Sequence, residues 1–216
     1  MTERLTMSQV STTTSSPRRR VAMTWVVWIT AVIAYGFAVM QRTSLGFMGL
    51  TAAAHFNAPA SVVATFMVLQ LAVYAVLQIP AGITVDRLGS RVVITAGSIV
   101  MTVGQVVMAL TGSAGGAVLA RVLVGCGDAF IFGAAIRLVP AWFPPKQTPL
   151  VTQLTGLLGQ FGQVVSAVGL VAMVNSSGWR STYLLAAGGA AVAAALAFLL
   201  IRDAPPGVEP ERTDGN

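Results

Sequence analysis

Apolar runs long enough to cross a lipid bilayer recur six times along this 216-residue chain, separated by short polar connectors. A spanning helix needs about 20 apolar residues. The runs are Ala22 to Leu50, Ala60–Ile79, Val92–Leu110, Ala117–Val139, Leu150–Val174 and Tyr183–Ile201. An unpaired backbone group in hydrocarbon costs several kcal/mol, so each run is predicted to be a helix. The expected fold class is an all-α membrane protein with six transmembrane helices. A soluble fold would have to bury a chain that is 55% apolar, with 9% charged residues to clothe its outside. Ordinary globular domains carry about 25% charged residues.

The formal charge of +6 does not point to nucleic acid. A groove binder gathers Lys and Arg on one face of a polar domain, whereas here they sit at the ends of the runs. With the N-terminus inside, Arg18, Arg19, Arg20, Arg87, Arg91, Arg137, Lys146 and Arg202 fall on the cytoplasmic side, and Arg180 lies in an external connector. That asymmetry predicts a multi-pass protein of the cytoplasmic membrane with both termini cytoplasmic. Residues 1–20 read as a disordered cytoplasmic tail, 21–202 as the transmembrane domain and 203–216 as a polar cytoplasmic tail. A cleaved signal peptide does not fit. The run after Arg20 outlasts a signal's core of about 7–15 residues, and five more runs follow. The single cysteine, Cys126, excludes an intrachain disulfide.

Charge outside the termini is densest in the connector between the second and third runs, Gly82-Ile-Thr-Val-Asp86-Arg87-Leu-Gly89-Ser-Arg91. On Gly82, Asp86, Arg87, Gly89 and Arg91 it resembles the first signature of the major facilitator superfamily of transporters. Arg121-Val-Leu-Val-Gly125-Cys-Gly127 is similar to that family's R-x-x-x-G-x-G signature in the fourth span. Trp142-Phe143-Pro144 and Gly178-Trp179-Arg180 stand where members carry similar residues. The antiporter signature of the fifth span contains Gly-Pro, but Gly156-Leu-Leu-Gly159-Gln-Phe-Gly162-Gln163 contains no proline. Symport or uniport is therefore left more open.

The resemblance runs from Arg20 to Pro205 and covers half of the family's architecture, which pairs two six-helix halves. It implies the N-terminal half of a secondary active permease. Its solute would be small and polar or anionic, such as nitrate, an organic acid or a phosphorylated compound. The alternative is a truncated or accessory six-helix membrane protein without transport of its own. Expected partners are membrane lipid, the solute, and a second six-helix half or a self-dimer. Neither nucleic acid nor a cofactor is expected.

Arg42, Arg121 and Asp128 fall inside the spans. A charge at mid-bilayer costs about 2.5–3.5 kcal/mol on insertion scales, so each should face a cavity or a partner rather than lipid. The depth of Arg42 is ambiguous: about 33 Å from Arg20, yet about 6 Å from the centre of its run. Either it snorkels to the external headgroups, or, as the resemblance implies, its planar fork holds the charge of an anionic substrate. Arg121 and Asp128 share a helix face about 10.5 Å apart. Side chains lean toward the helix N-terminus, so both are expected to line one cavity rather than to pair. Asp128, the only acid in a span, responds both to desolvation and to a nearby arginine. It either exchanges a proton as the cavity opens or is a structural carboxylate bonded to the first helix.

Gln153, Gly156, Gln160, Gln163 and Ser166 share a face of the fifth span. Gln160 and Gln163 are substrate candidates, with binding to neighbouring helices as the other reading; Gly156, Gly159 and Gly162 read as close-packing positions. In the signature loop the glycines would permit close approach of helices two and three. The resemblance makes Asp86 part of a gate that latches the outward-open state, with Arg137 as a candidate partner. Arg87 and Arg91 are explained almost as well as positive-inside anchors. Trp142 and Trp179 are expected in the headgroup layer, and His55 in an external turn. The chain has no nucleophile elbow, Walker loop, dinucleotide fingerprint or metal-ligand cluster. An enzyme is not expected; no catalytic or metal residues are assigned.

Overall fold

The computed structural model describes residues 17–205, whose regular structure is helical throughout. Residues 1–16 and 206–216, which hold most of the two expected tails, lie outside the described residues. The order is α1 (Pro17–Phe47), a short α2 (Gly49–His55), α3 (Ala60–Leu88), α4 (Ser90–Leu110), α5 (Ala114–Trp142) and α6 (Thr148–Val164), then a π-helical segment (Val165–Leu170) and α7 (Val171–Leu200). α1 opens on Pro17, whose missing N–H costs nothing at a first helical position. The basic run 18–20 is therefore already helical. The run that the sequence carries to Leu50 breaks at Met48, where α2 begins.

Five stretches among the described residues are long and apolar enough to cross a membrane. The last, Thr148–Leu200, has 53 residues, which would make a rod of about 80 Å if straight. It is not straight. Gly178 adopts φ +79° and ψ 172°, outside helical geometry. Val151 and Ile201 pack in one apolar cluster, and Val174 and Trp179 in another. The chain therefore runs the length of the bundle, reverses at Gly178 and returns, so that the fifth and sixth predicted spans meet at a glycine rather than across a loop.

The two clusters sit at opposite ends. Trp28, Val85, Val93, Leu138 and Trp142 lie with Val151 and Ile201 at the end carrying the α3–α4 turn. Phe56, Phe66, Met108 and Tyr183 lie with Trp179 at the other. Between them Tyr35, Ala38, Val39, Met101, Val124 and Ile131 form a smaller apolar group. Trp142 and Trp179, expected in the headgroup layer, have their rings packed inside the protein. Both are buried; Trp142 Nε1 donates to the Arg202 carbonyl at 2.8 Å and Trp179 Nε1 to that of Met108 at 3.0 Å. Burying an indole requires such a partner. His55 is more than a turn residue, since its ring stacks on Trp179 at 4.5 Å.

Helices approach closely where glycine removes the side chain. A Cβ at Gly97 would lie 2.7 Å from the Gly127 carbonyl oxygen, and one at Gly125 2.6 Å from that of Gln70. The two glycines after Arg121 thus serve different neighbours, Gly127 meeting α4 and Gly125 meeting α3. Small residues let backbones approach in this way when lipid supplies no hydrophobic drive between helices. Gly159 and Gly162 pack against Tyr35 and Gly36 of α1, whereas Gly156 and Gly82 have open space. The expectation that Gly82 permits close helix approach is therefore corrected. Gly89 is the loop glycine with a structural reason: its φ of +83° strains any L side chain.

Candidate functional site

Asp128 lies midway along α5, fourteen residues from either end. Its Oδ2 accepts a hydrogen bond from Arg42 Nη1 of α1 at 3.1 Å. The contact sets Arg42, which lies in the last turns of α1, beside the middle of α5. The pair is asymmetric: the Asp128 side chain is 1% exposed and that of Arg42 18%. Asp128 Oδ1 has no hydrogen-bond partner. The guanidinium stacks over Tyr74 of α3, 5.4 Å from the ring centroid. It also lines a cavity of about 410 Å³ between α1 and α3, with Thr43, Gly46, Met67 and Gln70. A solute entering that cavity meets the arginine before the carboxylate.

Arg121 and Asp128 do not line one cavity. Arg121 is fully buried and bonds to residues on either side of Arg42 rather than to Asp128. Its Nη1 donates to the Gln41 carbonyl (3.2 Å) and Ser44 Oγ (3.3 Å), with a longer contact to Gln70 Oε1 (3.5 Å). Nη2 lies 3.4 Å from the Tyr183 hydroxyl. Among the described residues no carboxylate pairs with it, and its Nε has no partner. Four neutral groups from α1, α3 and α7 therefore hold a whole buried cation. A guanidinium suits such a place because its charge is delocalised and weakly hydrated.

The glutamines of α6 join the Arg42 end of this system. Gln163 donates to Gln160, and Gln160 Nε2 donates to the Tyr35 hydroxyl at 3.2 Å. Tyr35 in turn interacts with Arg42. A polar chain therefore runs Gln163, Gln160, Tyr35, Arg42, Asp128 across α6, α1 and α5.

At the end of the bundle, Asp86 of α3 forms an ion pair with Arg137 of α5, both partly exposed. Arg91 is no plain surface anchor: its Nε donates to the Phe198 carbonyl at 2.8 Å and its guanidinium covers the Phe198 ring. Its backbone N–H donates to Asp203 at 2.9 Å. Arg87 is exposed.

Sequence reasoning did not single out Gln41, Ser44, Gln70, Tyr183, Tyr35 or Asp203. A signal existed for Gln70, an uncharged polar residue in the middle of an apolar run. None existed for Asp203, which reads as the first residue of a polar tail.

Comparison with known proteins agrees with this fold. The family model described as Major Facilitator Superfamily matches residues 26–215. The probable L-galactonate transporter of Escherichia coli K12 is 24% identical over 159 residues, which is 74% of this chain and 34% of that protein. The putative tartrate transporter of Agrobacterium vitis is 22% identical over 180 residues, 81% of this chain and 40% of that protein. The chain thus spans between a third and two fifths of the length of these relatives. Among solved structures, an inward-facing, occupied bacterial homolog of the human lysosomal transporter Spinster superposes with a TM-score of 0.67 at 18% identity. The match covers 90% of this chain and 46% of that one, and at this identity shows the fold alone.

Proposed function

Since the chain belongs to the major facilitator superfamily, we propose that it is the N-terminal six-helix half of a secondary active transporter in the cytoplasmic membrane. Its solute is a small organic anion, carried together with a proton. The observation that carries the reading is the Arg42–Asp128 pair, a half-reachable cation beside a cavity with a buried carboxylate competing for it. The relatives named for galactonate and tartrate agree, because both solutes bear carboxylates.

The chemistry follows from that competition. An ionised Asp128 occupies one edge of the Arg42 fork and offsets its charge. A proton on Asp128 removes the competing charge and leaves the guanidinium to bind a carboxylate in two-point fashion. Proton and anion then favour the same state, and by linkage each strengthens binding of the other. Gln160 and Tyr35 hold the far side of Arg42 and suit the polar remainder of a hydroxy acid. Asp86 with Arg137 acts as a gate at the bundle's end, biasing one of two arrangements of the helices. Arg121 holds α1, α3, α5 and α7 in register about the site.

The test is solute binding by the purified chain in lipid nanodiscs, with tartrate, galactonate and neutral galactose as ligands. The anions should bind, more tightly as pH falls, and Arg42→Gln should remove binding. Equal binding of galactose, or unchanged anion binding by Arg42→Gln, sinks the proposal in favour of a six-helix membrane protein that does not transport.

A further inference from the structure

α3 and α4 splay apart from their shared turn and leave a cleft of about 250 Å³, with α5 as its floor. Thr84 and Leu88 form one wall, Val92 and Val100 the other, and Cys126 and Phe130 the floor; almost no polar atom is exposed within it. Its inner wall and floor are small residues, Ala96 and Cys126 beside Gly97 and Gly127, whose backbones touch.

Its dimensions choose the occupant. From Val92 to Val100 the wall runs about 12 Å, close to the ~15 Å of hydrocarbon in one leaflet. A cleft of about 250 Å³ along that length suits an extended hydrocarbon chain lying parallel to the helices. The cleft begins beside the α3–α4 turn and ends near the level of Asp128, so it spans a single leaflet.

The charges at the mouth are already assigned, except one. Asp86 pairs with Arg137, Arg91 is held by the Phe198 carbonyl, and Asp203 accepts from the first turn of α4. Arg87, three residues beyond Thr84, is exposed and has no hydrogen bond or ion pair among the described residues. Lys146 is exposed at the same end. We propose that the cleft is a binding site for an anionic phospholipid, with one acyl chain between α3 and α4 and the phosphate on Arg87. The site depends on bilayer insertion and not on transport, so failure of the anion-binding tests leaves it standing.

The full chain is reconstituted in phosphatidylcholine bilayers containing a minority of phosphatidylglycerol or phosphatidylcholine that bears a photoreactive acyl chain. After irradiation, adducts are mapped by mass spectrometry. Adducts should concentrate on Cys126, Phe130 and Val100, with phosphatidylglycerol favoured about fivefold, the gain expected of one arginine at an anionic surface. Arg87→Gln, an exposed change that leaves the fold intact, should bring the ratio close to one, whereas Lys146→Gln should not. Equal labelling by the two lipids, or adducts spread evenly over lipid-facing Leu157 and Val168, overturns the proposal. So does an unlabelled cleft, the result if a second copy or another protein segment covers it.

Discussion

Arg121 and Asp128 share one helix, seven residues apart, yet bond to the same turn of α1: Asp128 to the Arg42 side chain, Arg121 to the Gln41 carbonyl and Ser44 hydroxyl. α5 therefore grips α1 on both sides of a single turn, with an ion pair at one point and an unneutralised cation at the other.

That unneutralised cation is close to break-even: hydrogen bonds to a charged group are worth about 1.5–3 kcal/mol each at best, and three of its four contacts are 3.3 Å or longer, against a desolvation cost of several kcal/mol. Arg121→Met should leave thermal stability in detergent unchanged or raised, and should abolish anion transport. A marked loss of stability would mean that the four neutral partners more than repay the burial.

Asp128→Asn removes the carboxylate that competes for Arg42. Anion binding should survive and lose its dependence on pH, proton-driven accumulation should vanish, and exchange of preloaded solute should continue. The measurement is binding across a pH series together with counterflow in proteoliposomes to which the second half is supplied. Accumulation at the wild-type level would assign Asp128 a structural role.

The Asp86–Arg137 pair is partly exposed and should contribute at most about 1 kcal/mol, enough for a several-fold change in the balance of two states. Asp86→Ala and Arg137→Gln should shift accessibility in the same direction, and the double variant should shift it no further than either alone. Additive shifts would show that the two residues act separately.

Gly97 of α4 and Gly82 of the signature loop should behave oppositely. A methyl at Gly97 meets the Gly127 carbonyl at 2.7 Å, so Gly97→Ala should destabilise the bundle by about 1–3 kcal/mol. Gly82 is helical with nothing nearby, and Gly82→Ala should gain up to about 1 kcal/mol of helix propensity. Thermal denaturation in one detergent compares them directly.

Orientation is checked by thiol labelling in a Cys126→Ala background. Asn57→Cys, Gly115→Cys and Ser177→Cys should react with an impermeant reagent on intact cells, while Lys146→Cys should react after lysis. The reverse pattern would invert the topology drawn from the positive charges.

The helices were legible because lipid allows a chain so few options: apolar length, glycine and proline punctuation and charge at the ends mark them out. The Arg42–Asp128 contact was half legible, as one of two readings for Asp128. The depth of Arg42 could not be read, since its apolar run continues past it to Leu50 and its partner Asp128 lies on another helix. The surroundings of Arg121 were misjudged for a similar reason. Spacing along α5 describes one helix, while Gln70 and Tyr183 arrive from helices far apart in sequence. The burial of Trp142 could not be read, because an indole near a helix end looks alike to the sequence whether it meets headgroups or the Arg202 carbonyl.

Asp203 holds the N–H of Arg91, and its neighbour Arg202 holds Trp142 through its carbonyl. The chain leaving α7 is thus fastened to the start of α4 and to the end of α5 before it goes on. Tension in the segment beyond Pro205 arrives at the α3–α4 turn directly, without travelling through any membrane-crossing helix. Whatever binds that segment has a handle on the turn that follows Asp86.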